Sequence, residues 1–262
     1  LDTIEHYGLY VRSLIPEGER FPRSSLSHER LIHWLASRKV GPSTKRKYHA
    51  AMSSFCEYLK SVGILERNPM REIKAPSPAP ARMRSLDLSD VKRLIAAQQP
   101  IYGVLSAFLH GTGMEVSTAL SLKRRDVDLA RREIRARGTK TKTRDRIVKV
   151  AEWAWPTVEK HVALLTPNAP LFPGISRWTA SDKHREACAA LDIEDYQLKD
   201  SRHTYAVRAI RAGAPFEVVA QQLGHADTTM VVRVYGRYKP SEAEMVQWER
   251  IASAQDAQQV TR

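Results

Sequence analysis

The sequence predicts a mainly α chain with a small antiparallel β-sheet, an α+β fold in two domains. Three observations predict it. Apolar residues recur at helical spacing along most of the 262 residues. One basic segment, "REIRARGTKTKTRDRIVKV", breaks that period. A proline-bearing stretch, "IKAPSPAPARMRS", has no apolar period and separates two helical regions as an extended linker. The boundaries that follow are a helical domain over 1–72, the linker over 73–85, a second domain over 86–239 and a helical tail over 240–262.

In the first domain, "ERLIHWLASRKV" is an amphipathic helix. In "GPSTKRKYHAAMSSFCEYLKSVGIL", Tyr48, Met52, Phe55, Leu59 and Val62 form one helical face. Pro42, Ser43 and Thr44 read as the start of that helix, and Lys45, Arg46 and Lys47 open its opposite face. "RNPM" closes the unit. After the linker, "SLDLSDVKRLIAAQ" places Val91, Leu94 and Ile95 on one side. "IYGVLSAFLHGTG" is almost wholly apolar and reads as a buried central helix ended by Gly111 and Gly113. The basic segment follows, with Ile134 and Ala136 alternating with charges, a turn near Gly138 and Thr139, and a second short run from Ile147 to Val150; this is a β-hairpin or small sheet. Helices return in "PFEVVAQQLGH", where Phe216, Val219, Ala220 and Leu223 share a face and Gly224 is the stop. In the tail, Met245, Trp248 and Ile251 form a stripe.

Lys plus Arg is 42 against 29 for Asp plus Glu, a net of +13. Residues 1–84 carry +7 (15 basic, 8 acidic) and 85–262 carry +6 (27 basic, 21 acidic), so the excess is no single basic tail. A chain basic in both halves suits a polyanion held by the whole protein; a merely basic soluble protein is the plainer alternative. No apolar run approaches the roughly 18 residues of a membrane span. No secretory signal opens the chain, so the expected place is cytoplasmic, on the nucleoid. Cys56 and Cys188 match no metal or redox spacing and read as two reduced, buried thiols.

Three clusters carry candidate chemistry. They are "LKDSRHTYAV" (Leu198 to Val207), "QQLGHADTTMVVRVYGRY" (Gln221 to Tyr238), and the hairpin Arg131 to Lys149, with nine basic and two acidic residues. In this order they resemble the catalytic domain of the tyrosine recombinase family, the phage-integrase type. The family's Arg-His-Thr-aromatic-Ala segment matches Arg202-His203-Thr204-Tyr205-Ala206. Its Leu-Gly-His segment and later tyrosine match Leu223-Gly224-His225 and Tyr235, and its lysine-bearing hairpin matches "GTKTKTRDRIVKV". The helical first domain, with its closing Asn68-Pro69, is similar to the family's core-binding domain. The resemblance therefore implies a two-domain DNA clamp, a helical core-binding domain plus a catalytic domain, on double-stranded DNA.

The reaction implied is attack of a tyrosine hydroxyl on a phosphodiester, leaving a 3′-phosphotyrosyl link and a free 5′-hydroxyl. The bond energy is kept in the link, so no metal and no cofactor is required. Charge grows on the equatorial phosphate oxygens and calls for arginine. Tyrosine, with a pKa near 10, needs help to lose its proton, and the 5′-oxygen needs an acid. By resemblance Tyr235 is the nucleophile, with Tyr238 a rival three residues on. Arg202 clamps the phosphate and His225 lies beside it. Lys140 is the general acid, and Lys142 is close enough in spacing to take that role. Lys199 stands where the family usually has a histidine. Lys45, Arg46, Lys47, Lys142 and Arg144 are candidate DNA contacts.

One position departs sharply. The family pattern Thr-Gly-(Leu/Met)-Arg reads here as Thr112-Gly113-Met114-Glu115, and Thr118 replaces a supporting glutamate. At about 5 Å and an effective dielectric near 20, one unit charge is worth roughly 3 kcal/mol. Exchanging plus one for minus one costs about twice that, a rate loss of roughly 10⁴ to 10⁵. Two readings follow: a site-specific recombinase impaired by Glu115, and a DNA-binding protein of the same fold that does not cleave. An introduced silencing change would look the same in the sequence. The resemblance also implies a homo-oligomer, a tetramer assembled on DNA, with the tail docking on a neighbour or packing on its own domain.

Overall fold

The computed structural model describes residues 2–14, 26–77, 83–136 and 146–236, with 238, 246, 249 and 250. The chain is mainly helical with one small antiparallel sheet, and it divides into two compact units, Leu1–Ala81 and Arg82–Arg262. Among the described residues no helix is long and apolar enough to cross a membrane.

The first unit contains α1 (Asp2–Arg12), α2 (His28–Ser37), α3 (Pro42–Ser61) and a 3-10 turn at Pro69–Arg71. Ser27 caps α2 by accepting from the Arg30 backbone N–H, while Pro42 takes the first position of α3, where its missing N–H costs nothing. Leu31, Trp34, Met52, Cys56, Leu59 and Met70 form the core. The buried face of α3 is rotated from the one its spacing suggests. Ala51, Met52, Cys56 and Leu59 are buried, Tyr48 and Phe55 flank them, and Val62 is 50% exposed at the helix end. The reason is that α1 and α2 both pack against α3, and together they cover a broader stripe than one row of large side chains.

Asn68 explains the Asn-Pro closure. Its side chain donates to the Ser53 carbonyl and the Glu57 carboxylate, and accepts from the Met70 N–H. The segment read as a linker begins attached to this unit: Ile73 is buried in its core, and the Ile73 carbonyl accepts from His49.

The second unit runs α4 (Leu88–Ala96), α5 (Pro100–Thr112), α6 (Val116–Ser121), a 3-10 turn (Arg124–Asp126), β1 (Val127–Asp128), β2 (Glu133–Ala136), β3 (Arg146–Lys149), α7 (Trp155–Ala163), α8 (Arg177–Ala190), α9 (Asp200–Arg211), α10 (Phe216–Leu223) and α11 (Thr229–Tyr235). The central helix is α5, packed against α4, α7, α8 and α9. Leu105, Phe108 and Leu109 are at most 1% exposed, and burying each stabilises the fold by about 2 kcal/mol. The helix runs through Gly111 and stops at Gly113, which caps it in the left-handed region at φ 67°.

The sheet order is β1-β2-β3, all antiparallel. Ile134 pairs with Val148 and both are fully buried, whereas Ile147, one residue off in phase, is 58% exposed. The two-residue β1 had no sequence signal, because it is too short to show a period. The hairpin tip, with Lys140, Lys142 and Arg144, lies outside the described residues, as do Met245, Trp248 and Ile251 of the tail.

Candidate active site

Helix α9 organises the site. Successive residues on an α-helix point about 100° apart, so three neighbours can serve three directions. Arg202 donates from one terminal nitrogen to the Gly113 carbonyl (2.9 Å) and from the other to His225 Nε2 (2.8 Å). His203 Nδ1 meets the Tyr235 hydroxyl at 2.7 Å. Thr204 turns inward to the Tyr196 hydroxyl at 2.6 Å.

Glycines at two turns make this possible. A Cβ at Gly113 would stand 2.6 Å from the Tyr205 ring, and the backbone there has positive φ. Gly224 ends α10 at φ 76°, and a Cβ on it would run into the Arg146 guanidinium. Arg146 is held in place by donating to the Gln222 carbonyl at 3.0 Å. The buried Gln222 side chain ties three elements together. It donates to the carbonyls of Thr112 and Lys149 and accepts from the Lys149 N–H, fixing α10 to the end of α5 and to β3.

The electrostatics are specific. His225 accepts from an arginine, so Nε2 carries a lone pair and the ring is neutral with its proton on Nδ1. That Nδ1 is buried without a hydrogen-bond partner among the described residues. Burial lowers the His225 pKa, helped by Arg202 and Arg146 and opposed by Glu115 and Asp227. Burial likewise lowers that of His203, whose Nδ1 shares a hydrogen bond with the Tyr235 hydroxyl. Tyr235 is 2% exposed, and burial pushes its hydroxyl up to about 12, with Arg202 pulling the other way.

Arg202, His225 and Tyr235 are thus brought together. Glu115 is half-buried at the start of α6 and near enough to bias His225. Lys199 is exposed at the start of α9, on the same cleft of about 850 Å³ as Glu115 and Arg202. Tyr238 is half-buried at the edge of the Tyr235 cluster, with the Arg211 guanidinium 5.8 Å from its ring centre.

In the first unit, Lys45 donates to the Ala36 carbonyl and Arg46 to the Pro76 carbonyl, while Lys47 is exposed. The thiols of Cys56 and Cys188 are free and buried, each pushed up to about 11 mainly by burial.

Sequence reasoning gave no role to His203, Arg146 or Gln222. His203 lies inside the quoted Arg-His-Thr segment, but no period links it to a tyrosine 32 residues on. Arg146 was one of nine hairpin cations. Gln222 had no signal beyond being polar on an otherwise apolar helix face.

Comparison with known proteins places the chain in a family and a fold. The family model described as "Phage integrase family" matches residues 84–242. The integrase of Salmonella phage P22 is 27% identical over 233 residues, covering 79% of this chain and 60% of that protein, so the chain spans less than two thirds of this relative's length. The solved structure of the Tn1549 transposon integrase in complex with a circular intermediate DNA has a TM-score of 0.75 at 13% identity, over 95% of this chain and 93% of that one. A lambda integrase tetramer bound to a Holliday junction has a TM-score of 0.72 at 14% identity, over 87% of this chain and 72% of that one. At these identities the structural likeness shows a shared fold.

Proposed function

The chain belongs to the phage integrase family, and from that premise we propose that it is a site-specific DNA recombinase of the tyrosine type. Tyr235 attacks the scissile phosphodiester and forms the 3′-phosphotyrosyl link. Arg202 meets the negative charge that develops on phosphate, and the Nδ1–H of His225 is a second donor. Lys199 adds a cation at the edge of the cleft. Lys140, or Lys142, gives the proton to the leaving 5′-oxygen. The observation that carries this reading is the convergence of Arg202 from α9, His225 from the turn after α10 and Tyr235 from α11 into one cluster.

Double-stranded DNA is the partner. Both units hold it as a clamp, the core-binding unit through the helix that opens at Lys45, Arg46 and Lys47, with Arg144 of the hairpin adding a phosphate contact. The net charge of +13 supports this. Binding should weaken steeply with salt as phosphate contacts release counterions. A nearly flat dependence would count against DNA as the partner. The DNA-bound assembly is a homo-tetramer, as for the lambda integrase neighbour.

A second reading is favoured by one residue. Glu115 stands where the family places an arginine and puts an acid beside the phosphate donors, which suits a protein that binds DNA without cutting it. Covalent trapping on a nicked suicide substrate, its site found by a binding selection, separates the two. A Tyr235-dependent adduct from the protein as written supports the recombinase. Binding without an adduct, rescued by Glu115→Arg, supports a scaffold held inactive at one position.

A further inference from the structure

We propose that His203 is the proton acceptor for Tyr235: its Nδ1 receives the hydroxyl proton as the phenol oxygen attacks phosphorus, and returns it when the link is reversed. This rests on the cleavage reading and names a group that it leaves open. In the forward step the Tyr235 Oη–P bond forms and the P–O bond to the 5′-oxygen breaks. The phenol proton moves to His203, and the separate acid supplies the leaving oxygen, so charge and protons balance.

The geometry singles out His203. Its Nδ1 lies 2.7 Å from the reacting oxygen, and the two rings are 5.7 Å apart at 57°. His225, Lys199 and Arg202 cannot accept. His225 Nε2 is taken by Arg202, and His225 Nδ1 already bears a proton. The Lys199 ammonium and the Arg202 guanidinium have no lone pair to offer. A phenol held up near 12 by burial is a weak nucleophile at neutral pH unless its proton has a destination. The charged and titratable groups facing the pair are Lys199, Asp200 and Arg202 of α9 and Tyr238 beyond α11. The rest of Tyr235 lies among apolar residues of α9, α10 and α11. His203 is also only half-buried, so the imidazolium formed there is not sealed in the core.

Two measurements test this. The first needs no cleavage. In protein labelled with ¹³C at histidine, His203 is followed through a pH titration with and without Tyr235→Phe. Losing a hydroxyl that donates to the neutral ring should raise its midpoint by about half a unit or more. An unmoved midpoint overturns the contact and the proposal.

The second is the initial rate of adduct formation on the suicide substrate from pH 5.5 to 9, for the form that cleaves, either the protein as written or Glu115→Arg. The rate should climb as His203 loses its proton and then level off. His203→Asn keeps an acceptor at the same place but cannot take the proton. It should cleave slower by about 10² to 10⁴ and keep climbing with pH instead of levelling. Cleavage by His203→Asn within threefold and with an unchanged profile overturns the proposal while the cleavage reading stands. No adduct from either form at any pH removes the cleavage reading, and the proton transfer with it.

Discussion

Among the described residues of the second unit, two histidine–tyrosine pairs have hydrogen bonds of nearly equal length in different surroundings. His110 Nε2 lies 2.9 Å from the Tyr196 hydroxyl, and His203 Nδ1 lies 2.7 Å from that of Tyr235. Around the first pair the hydrogen bonds form a closed chain. His110 Nδ1 donates to the Ser106 carbonyl, Tyr196 donates to His110, Thr204 donates to Tyr196, and the Leu86 N–H donates to Thr204. His110 and Tyr196 are 1% and 5% exposed. The second pair ends in a half-buried imidazole beside Arg202. A buried polar network with all its bonds made holds elements together. A similar bond that ends in a half-buried imidazole next to an arginine is open to the proton transfer proposed above. The same helix carries both, since Thr204 serves the closed network and His203 the open pair.

The comparison is broken most severely at the hydroxyls. Tyr235→Phe should abolish the covalent adduct while leaving DNA affinity in place, whereas Tyr196→Phe should keep the adduct. Gel detection of the adduct decides, and a persistent adduct from Tyr235→Phe would move the nucleophile to Tyr238. Next in size, Glu115→Arg should raise the cleavage rate by about 10⁴ or more, because it replaces an acid near His225 with a phosphate-binding cation. A change below tenfold would mean that position 115 does not control the open pair.

Acid should act on the closed pair instead. Burial holds His110 neutral down to about pH 4, against 6.5 for an unburied histidine, and holds His184, packed on Tyr196, neutral to about 3. The unfolded chain therefore takes up these protons first. Stability is complete above pH 6.5 and is lost as the pH falls through the window toward 4, by about 3 kcal/mol for His110 alone. Urea unfolding from pH 8 to 4 measures it, and a pH-independent midpoint would refute the burial argument. The smallest effect expected is that of Tyr196→Phe on stability. It leaves His110 Nε2 without its donor and should cost about 1 to 3 kcal/mol by denaturant titration. A loss below half that range would make the closed chain ornamental.

The sequence carried the helices well where one face is apolar and its ends are marked. Helix α10, with Phe216, Val219, Ala220 and Leu223 before Gly224, needed nothing else. It carried α3 less well. The large side chains at Tyr48, Phe55 and Val62 outweighed the small buried Ala51 and Cys56, and periodicity does not say which neighbours cover a helix. Strand β1 escaped because its partner Ile134, not its own pattern, makes Val127 a strand residue.

What the sequence determined by itself was the inventory: a basic chain, helices around one small sheet, and the residues Arg202, His225 and Tyr235 with an acid at 115. The charge and the helices follow from composition and period, which are local properties; Arg202, His225, Tyr235 and the departure at 115 were marked by the resemblance of their ordered motifs to the tyrosine recombinase family. Only the tertiary structure decided what each side chain touches. It gave His225 to Arg202, set His203 against Tyr235 across 32 residues of chain, and sent the adjacent Thr204 into the core. The physical reason is that a hydrogen bond depends on two or three ångströms and a direction. Those are set by how α9, α10 and α11 pack, and no single helix encodes them.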